Sequence, residues 1–301
     1  MKAFKFLSNT ALVFSLVLLA SCSSNDDQEE TGYKKQKLEF KANVDLSDST
    51  DVTRATLEGD YSVSWDENDE IFVYCDNAEE AVTFGITPSS IDGGTATFTN
   101  YGEVLPIWFD PLDAYYALYP HASATFDVSS SKITSVFPTH QTVSTGRTYD
   151  KKALFMTACA DKDERIFNFK NIPALIKVNL SNNGDGKVKF IEIESKNSAN
   201  ILSGNFEVSP IYNTSKIGFK AISGADKKHT VKLQIPEKAE STDFYLAVLP
   251  GTINGFIIKF EDAKSTVLYK RESKEGVDVL VKSSRIYNFG SFDVATFPEE
   301  K

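Results

Sequence analysis

The chain has 301 residues, a formal net charge of -10 and 25% charged side chains. That acidic balance excludes the basic face that a nucleic-acid binder or an anionic-lipid binder needs, while 41% hydrophobic residues exclude a disordered polymer and supply an ordinary globular core. Three cysteines and three histidines, all far apart in sequence, leave no zinc-ligand spacing.

In chain order, the first element is a leader. "MKAFKF" is a short basic end, "ALVFSLVLLA" is an apolar run too short to cross a bilayer, and "LASC" places small residues before Cys22. Residues 1–21 therefore read as a lipoprotein signal peptide, with Cys22 as the lipidated residue that anchors the chain to a membrane without spanning it. The polar, acidic "SSNDDQEETGYKK" that follows buries nothing and serves as a tether. Then comes "QKLEFKANVDL", where Leu38, Phe40, Ala42, Val44 and Leu46 take every second position, the period of a strand with one buried face. It runs into the polar "SDSTDVTRAT", whose single Arg54 is an accessible trypsin-like cleavage site.

From residue 60 onward the sequence is a series of short strands separated by turns. "YSVSWDENDEIFVYCDN" reads as a strand, an acidic turn and a second strand, and "TATFTN", "AYYALYP", "KITSVFP", "RIFNFK", "ALIKVNL", "KVKFIEIES", "SGNFEVS", "KHTVKLQIP", "DFYLAVLP", "GFIIKFED", "STVLYKRE", "GVDVLVKSS" and "RIYNFGSFDVA" follow, rich in Val, Ile, Phe, Tyr and Thr, with Gly, Asn, Asp and Pro between them. "SNNGDGKV" has the composition of a hairpin turn. Regular strands without intervening helices predict an all-β chain built of antiparallel β-sandwiches. Roughly 250 residues after the tether are more than one core usually holds, which predicts two domains. The charged run Asp161–Glu164 is the expected connection: residues 22–54 form the tether and first strand, 55–163 an N-terminal sandwich and 164–301 a C-terminal one. Cys75 continues the alternation Ile71, Val73, so it is placed either as a buried thiol or in a disulfide with Cys159.

No catalytic or metal constellation emerges. His121, His140 and His229 lie in separate segments; "DENDE" at 66–70 and "NNGDG" at 182–186 read as turns and not calcium loops. No nucleophile elbow, phosphate loop or dinucleotide glycine pattern is present, so the chain is expected to be non-enzymatic, without cofactor or metal. Trp65, Trp108, Tyr115, Tyr116 and Tyr119 carry a second reading, in which exposed aromatics bind glycans on a lipid-anchored monomer. Trp65, on the apolar side of "YSVSW", favours the core instead.

The order of several motifs resembles the fimbrillin family, the type V pilins of Bacteroidales and their relatives. These are the lipobox Cys22, "VTRAT" at 52–56, "VSWDENDEIFVY" at 63–74, "YYALYPHAS" at 115–123, "FPTHQTVSTGRTYDKKALFMTACA" at 137–160, "IFNFKNIPALIKVNL" at 166–180, "ILSGNFEVSP" at 201–210, "FYLAVLPG" at 244–251 and "SSRIYNFGSF" near the end. The resemblance implies two transthyretin-like β-sandwich domains in tandem and an outer-membrane lipoprotein precursor exposed at the cell surface, the acidic tether resembling an export signal. It further implies cleavage between Arg54 and Ala55 by an Arg-specific surface protease, and loss of the strand bearing Leu38, Phe40, Ala42, Val44 and Leu46. The vacated groove then accepts a strand from another pilus subunit, so that the mature form resides in fimbriae with a role in adhesion. The C-terminal segment, with Val277, Val279, Val281, Phe289, Phe292 and Val294, either donates such a strand or closes the second sandwich; in the latter case the resemblance implies a tip or accessory subunit.

Overall fold

The computed structural model describes residues 38–44, 64–75, 80–100, 113–120, 124–127, 132–144, 146–210, 217–222, 227–237, 242–274 and 276–298. The signal peptide and tether, together with Cys22, Leu46, Arg54, Ala55, Trp108 and His121, lie outside the described residues. Within the described residues every extended element is a strand, joined by short 3-10 turns at Pro88–Ser90, Lys151–Ala153 and Val294–Thr296, so the chain is all-β as its alternation requires.

The strands of the first half are β1 (Glu39–Val44), β2 (Glu70–Cys75), β3 (Val82–Ile86), β4 (Thr95–Thr99), β5 (Ala114–Tyr119), β6 (Thr125–Asp127), β7 (Lys132–Phe137), β8 (His140–Thr142), β9 (Met156–Asp161) and β10 (Ile166–Asn171). The second half holds β11 (Ala174–Ser181), β12 (Phe190–Ser195), β13 (Gly204–Pro210), β14 (Ile217–Ala221), β15 (Thr230–Gln234), β16 (Asp243–Val248), β17 (Gly251–Asn254), β18 (Phe256–Glu261), β19 (Val267–Glu272), β20 (Asp278–Val281) and β21 (Ile286–Asp293).

In the first half the strand pattern predicts an open sandwich, whereas β1, β10, β9, β5, β2, β3 and β4 close in that order into a barrel. Closure depends on β1, which is antiparallel to β4 and parallel to β10 and so satisfies two edges that would otherwise stand open. Alternation tells which face of a strand is buried, but not whether the sheet returns on itself. The charged run Asp161–Glu164 is also not a linker. It is the turn of the β9–β10 hairpin, where Arg165 N–H donates to Asp161 O at 3.0 Å and Asp163 N–H to Asp161 Oδ1 at 2.8 Å. Ile166–Asn171, assigned above to the C-terminal domain, is consequently a barrel strand. Charges mark hydrated backbone, and a tight turn is as hydrated as a linker.

In the second half β11 lies between β16, antiparallel, and β21, parallel, while β19, β18, β12, β15 and β8 form a separate sheet. Inward residues of both sheets, among them Ile176, Val178, Ile193, Leu233, Leu246 and Phe260, share one hydrophobic cluster. "SNNGDG" joins β11 to β12 across these two sheets and is therefore a crossover turn, not a hairpin. Its Gly186 has φ of +67°, and a Cβ there would stand 2.8 Å from Glu237 O, so both the conformation and the space call for glycine.

The halves interlock. β7 pairs with β13 and β8 runs parallel to β15, so strands of the first half are built into sheets of the second. Ile133, Phe137, Phe206 and Val208 of the β14-β13-β7-β6 sheet join the barrel's hydrophobic cluster. Gln141 adds a buried tie: its Nε2 donates to Ala247 O at 2.7 Å and its Oε1 accepts from Ala247 N–H at 3.0 Å.

Candidate functional site

β1 buries Leu38, Phe40 and Ala42 completely and leaves Glu39 and Lys41 exposed; Val44 is only partly buried. Phe40 enters a pocket of three rings, stacked on Phe167 at 4.8 Å and edge-on to Tyr115 at 4.8 Å and Phe84 at 5.1 Å. The backbone is held along both edges, with Lys41 N–H donating to Arg165 O at 3.0 Å and Val44 N–H to Gly94 O at 3.0 Å. Leu38 N–H donates to the buried Asn100 Oδ1 at 3.3 Å. Withdrawing β1 would bare the edges of β4 and β10 together with an aromatic slot.

A polar lock on the outer face was not visible in the sequence. Asn43 Nδ2 donates to Asn168 Oδ1 at 3.0 Å, and Asn43 Oδ1 accepts from Thr95 Oγ1 at 3.2 Å, linking β1 to both neighbours and fixing its register. The only signal was an asparagine, a poor strand former, inside an otherwise good strand.

Trp65 is 3% exposed and lies between the strands that flank β1. Its indole N–H donates to Gly94 O at 2.9 Å, and its ring is edge-on to Phe98 of β4 at 5.1 Å and to Phe169 of β10 at 5.5 Å. Phe98 is in register with Phe40, and Phe169 with Val44. Trp65 thus touches both strands that flank β1, one at the level of Phe40 and the other at the level of Val44.

The turn after Trp65 is held by charge. Lys151 pairs with both Asp66 and Asp69, Arg147 with Asp66 at 3.2 Å, and Tyr119 O–H donates to Asp69 Oδ1 at 3.0 Å. Partial burial works to raise the Asp66 carboxyl, but hydrogen bonding and charge from Lys151, with Arg147, hold it below its ordinary value. Burial and then Asp69 push the Tyr119 phenol far up, so it stays a donor. A cleft of about 440 Å³ adjoins this turn, with Asp69, Tyr119, Val136, His140, Asp150 and Lys152 in its wall. Its aspartates are already engaged, Asp69 as above and Asp150 by the Thr142 and Lys152 backbone N–H groups, both at 2.9 Å.

The other sequence-level candidates are placed as follows. Trp65, Tyr115 and Tyr119 are core residues, and Tyr116 is half-buried and stacked on Tyr74 at 5.2 Å, so these four build no exposed platform for sugars. Cys75 is in register with Tyr115 and Cys159 with Tyr116, neighbouring residues of β5. They thus point to opposite faces of the sheet, and neither is in a disulfide. Among the described residues no group of His, Cys, Asp and Glu could hold a metal ion. Val277 is 37% exposed, Val279 partly buried and Val281 buried, on or beside β20, which pairs with β17. Phe289, Phe292 and Val294 are buried in the second core; Phe289 stacks on Phe256 at 4.3 Å, and the Arg271 guanidinium lies 4.4 Å over Phe292.

No protein-family model matches the sequence, and no curated protein matches it. Among solved structures, a candidate cell adhesion protein from Bacteroides ovatus ATCC 8483 is similar with a TM-score of 0.51 at 14% identity, over 88% of this chain and 95% of that one. A candidate cell adhesion protein from Bacteroides uniformis ATCC 8492 gives a TM-score of 0.48 at 14% identity, over 87% and 96% of the two chains. The tip fimbrial protein Mfa3 from Porphyromonas gingivalis, with a C-terminal truncation, gives 0.35 at 10% identity, over 84% and 93%. The first likeness shows a shared fold; the other two fall below the similarity at which a fold is shared.

Proposed function

We propose that this chain is a structural or accessory fimbrial subunit of the fimbrillin type with a role in adhesion, in which β1 is a removable strand. The observation that carries the reading is that one short strand, first in chain order among those described, closes the barrel and is followed by a segment with an Arg at position 54. The fold shared with the Bacteroides ovatus protein and the ordered series of fimbrillin-like motifs support it.

On this reading Cys22 carries the lipid that holds the precursor in the outer membrane with its bulk at the surface. An Arg-specific surface protease cuts between Arg54 and Ala55, β1 leaves, and another subunit supplies the strand that replaces it. Full burial of Leu38 and Phe40 at about 1.5–3 kcal/mol each, with the Ala42 methyl, gives about 4–7 kcal/mol for the seat before hydrogen bonds. That is a large part of a typical domain's stability of about 5–15 kcal/mol. An emptied barrel is accordingly a strong acceptor, and cleavage makes its emptying irreversible without any nucleotide. We read the two hydrophobic clusters as the cores of two β-domains in tandem, interlocked through β7, β8 and β13. A C-terminal donor would have to strip Phe289 and Phe292 from the second core, which favours a donor elsewhere or a subunit that accepts without donating.

The test is limited trypsin treatment of the precursor lacking residues 1–22, read by intact mass and size-exclusion chromatography. The expected result is a single early cut at Arg54–Ala55 followed by release of the β1 segment. Resistance at Arg54, with the mass unchanged, would make β1 a permanent core strand and end the proposal.

A further inference from the structure

The string Lys-aliphatic-x-Phe-Lys-Ala occurs twice in the chain, as KLEFKA at 37–42 and as KIGFKA at 216–221. Residues 39–42 of the first occurrence lie in β1. Residues 217–221 of the second form β14, an edge strand that pairs with β13 from Phe206↔Ala221 to Pro210↔Ile217, and whose Phe219 and Ala221 are only half-buried.

The barrel groove selects for such a string. Leu38 and Phe40 require a large side chain and then an aromatic one in the Phe84, Tyr115 and Phe167 pocket. Two residues on, Ala42 is fully buried in register with Ala96 on one side and Phe167 on the other, where β1 places only a methyl group and a larger side chain would overpack. The order is large, aromatic, small at every second position. Val277, Val279 and Val281 fail it at the second and third places. Tyr287, Phe289 and Ser291 have the right sizes, but β21 is paired to β11 along its length and pinned by Arg271 over Phe292.

We infer that the groove between β4 and β10, once emptied, is refilled by Ile217–Ala221 of a second copy of this chain, Phe219 replacing Phe40 and Ala221 replacing Ala42. The inference rests on the strand-exchange reading above. Gly218 and Lys220 then take the outward places of Glu39 and Lys41, so no charge is buried. On β14 the strand is paired along one edge, and in the groove it is paired along two, with Phe219 passing from half-buried to buried. Transfer gives up the β13 pairing and the contact of Phe219 with Phe206 at 6.1 Å, which the second paired edge and the full burial of Phe219 offset.

The experiment uses the precursor lacking residues 1–22, cut after Arg54 and separated from the released segment in mild urea. Labelled peptides 36–46 and 215–224 are titrated against it by fluorescence anisotropy, and assembly is followed by light scattering on a sizing column. Both peptides are expected to bind, with Ala221→Leu weakening the second at least tenfold. The cut wild type should assemble, whereas a cut Ala221→Leu chain should stay monomeric. Phe219→Ala, expected to give the same result, is the second variant should leucine disturb the β14 edge. Binding of 36–46 without binding of 215–224, or assembly of both variants, would overturn the β14 donor and leave strand exchange standing. A cut wild type that remains monomeric would overturn the second-copy occupant. Failure of 36–46 itself to bind would overturn the strand-exchange reading, and this inference with it.

Discussion

Replacing Phe40 with alanine separates a strand that merely belongs to the core from one that the protein is built to lose. Phe40 has no exposed surface and touches three rings within 4.8–5.1 Å. Truncation of a phenylalanine so enclosed leaves a cavity between fixed aromatic walls and destabilises by about 3–5 kcal/mol. In the uncut precursor this should appear as a shift to lower urea concentration without a change in slope, followed through the fluorescence of the buried Trp65. In protein cut after Arg54 and freed of β1, wild type and Phe40→Ala have the same sequence, so their unfolding curves must coincide. A precursor loss below about 1 kcal/mol would refute the packing argument, since no buried phenylalanine in contact with three rings is that cheap to remove. Curves that still differ after cutting would show that β1 stays in the barrel, against the idea that it is released.

Gln141→Leu leaves the buried Ala247 N–H and O without partners and should destabilise the protein by about 2–4 kcal/mol, measured by denaturant titration. Asp66 is held below its ordinary value of 3.8, so the stabilisation it contributes is complete above that pH and is lost as the pH falls through the depressed folded value. Asp66→Asn should therefore flatten the acid limb of a stability-versus-pH curve, by no more than about 1 kcal/mol because the carboxylate is largely exposed. Gly290 has φ of +116°, and a Cβ there would meet Arg271 Nη2 at 2.9 Å, so Gly290→Ala should lower the unfolding midpoint by the equivalent of about 1–3 kcal/mol. Thiol titration of the unfolded soluble chain without residues 1–22 should find Cys75 and Cys159 both reactive with no reductant added, since the two face opposite sides of the sheet.

What the sequence made legible was local. The alternation of Leu38, Phe40 and Ala42 named the buried face of β1, and the apolar side of Trp65 named it as core, because period two is a property of the strand itself. What remained hidden was long-range pairing. Nothing in "RIFNFK" says that Ile166–Asn171 lies beside β1, and the charges of Asp161–Glu164 serve a hairpin as well as they would serve a linker. The contact of Trp65 with both strands that flank β1 was equally hidden. It depends on two registers, Phe98 with Phe40 and Phe169 with Val44, that no single segment contains.

On the strand-exchange proposal, topology also suits β1, the first described strand, to removal. A strand flanked by connections on both sides needs two cuts to be released, whereas the first strand leaves with a single cut after it. A terminal strand of this kind need not be part of any hairpin, and β1 is joined in parallel to β10, which lies more than a hundred residues further along the chain. The last described strand, β21, has the same topology, parallel to β11, yet it is placed very differently. It carries Phe289 and Phe292 into the second core, bends at Gly290 and receives Arg271 on the Phe292 ring, so its loss would unmake the sheet packing around it. β1 and the Leu38 before it insert three side chains into a slot walled by Phe84, Phe98, Tyr115, Phe167 and Phe169 of other strands, of which Phe98 and Phe169 pack on Trp65 and Phe167 packs on Phe169. On the strand-exchange proposal, walls that pack partly on Trp65 and on each other make departure less costly at β1 than at β21.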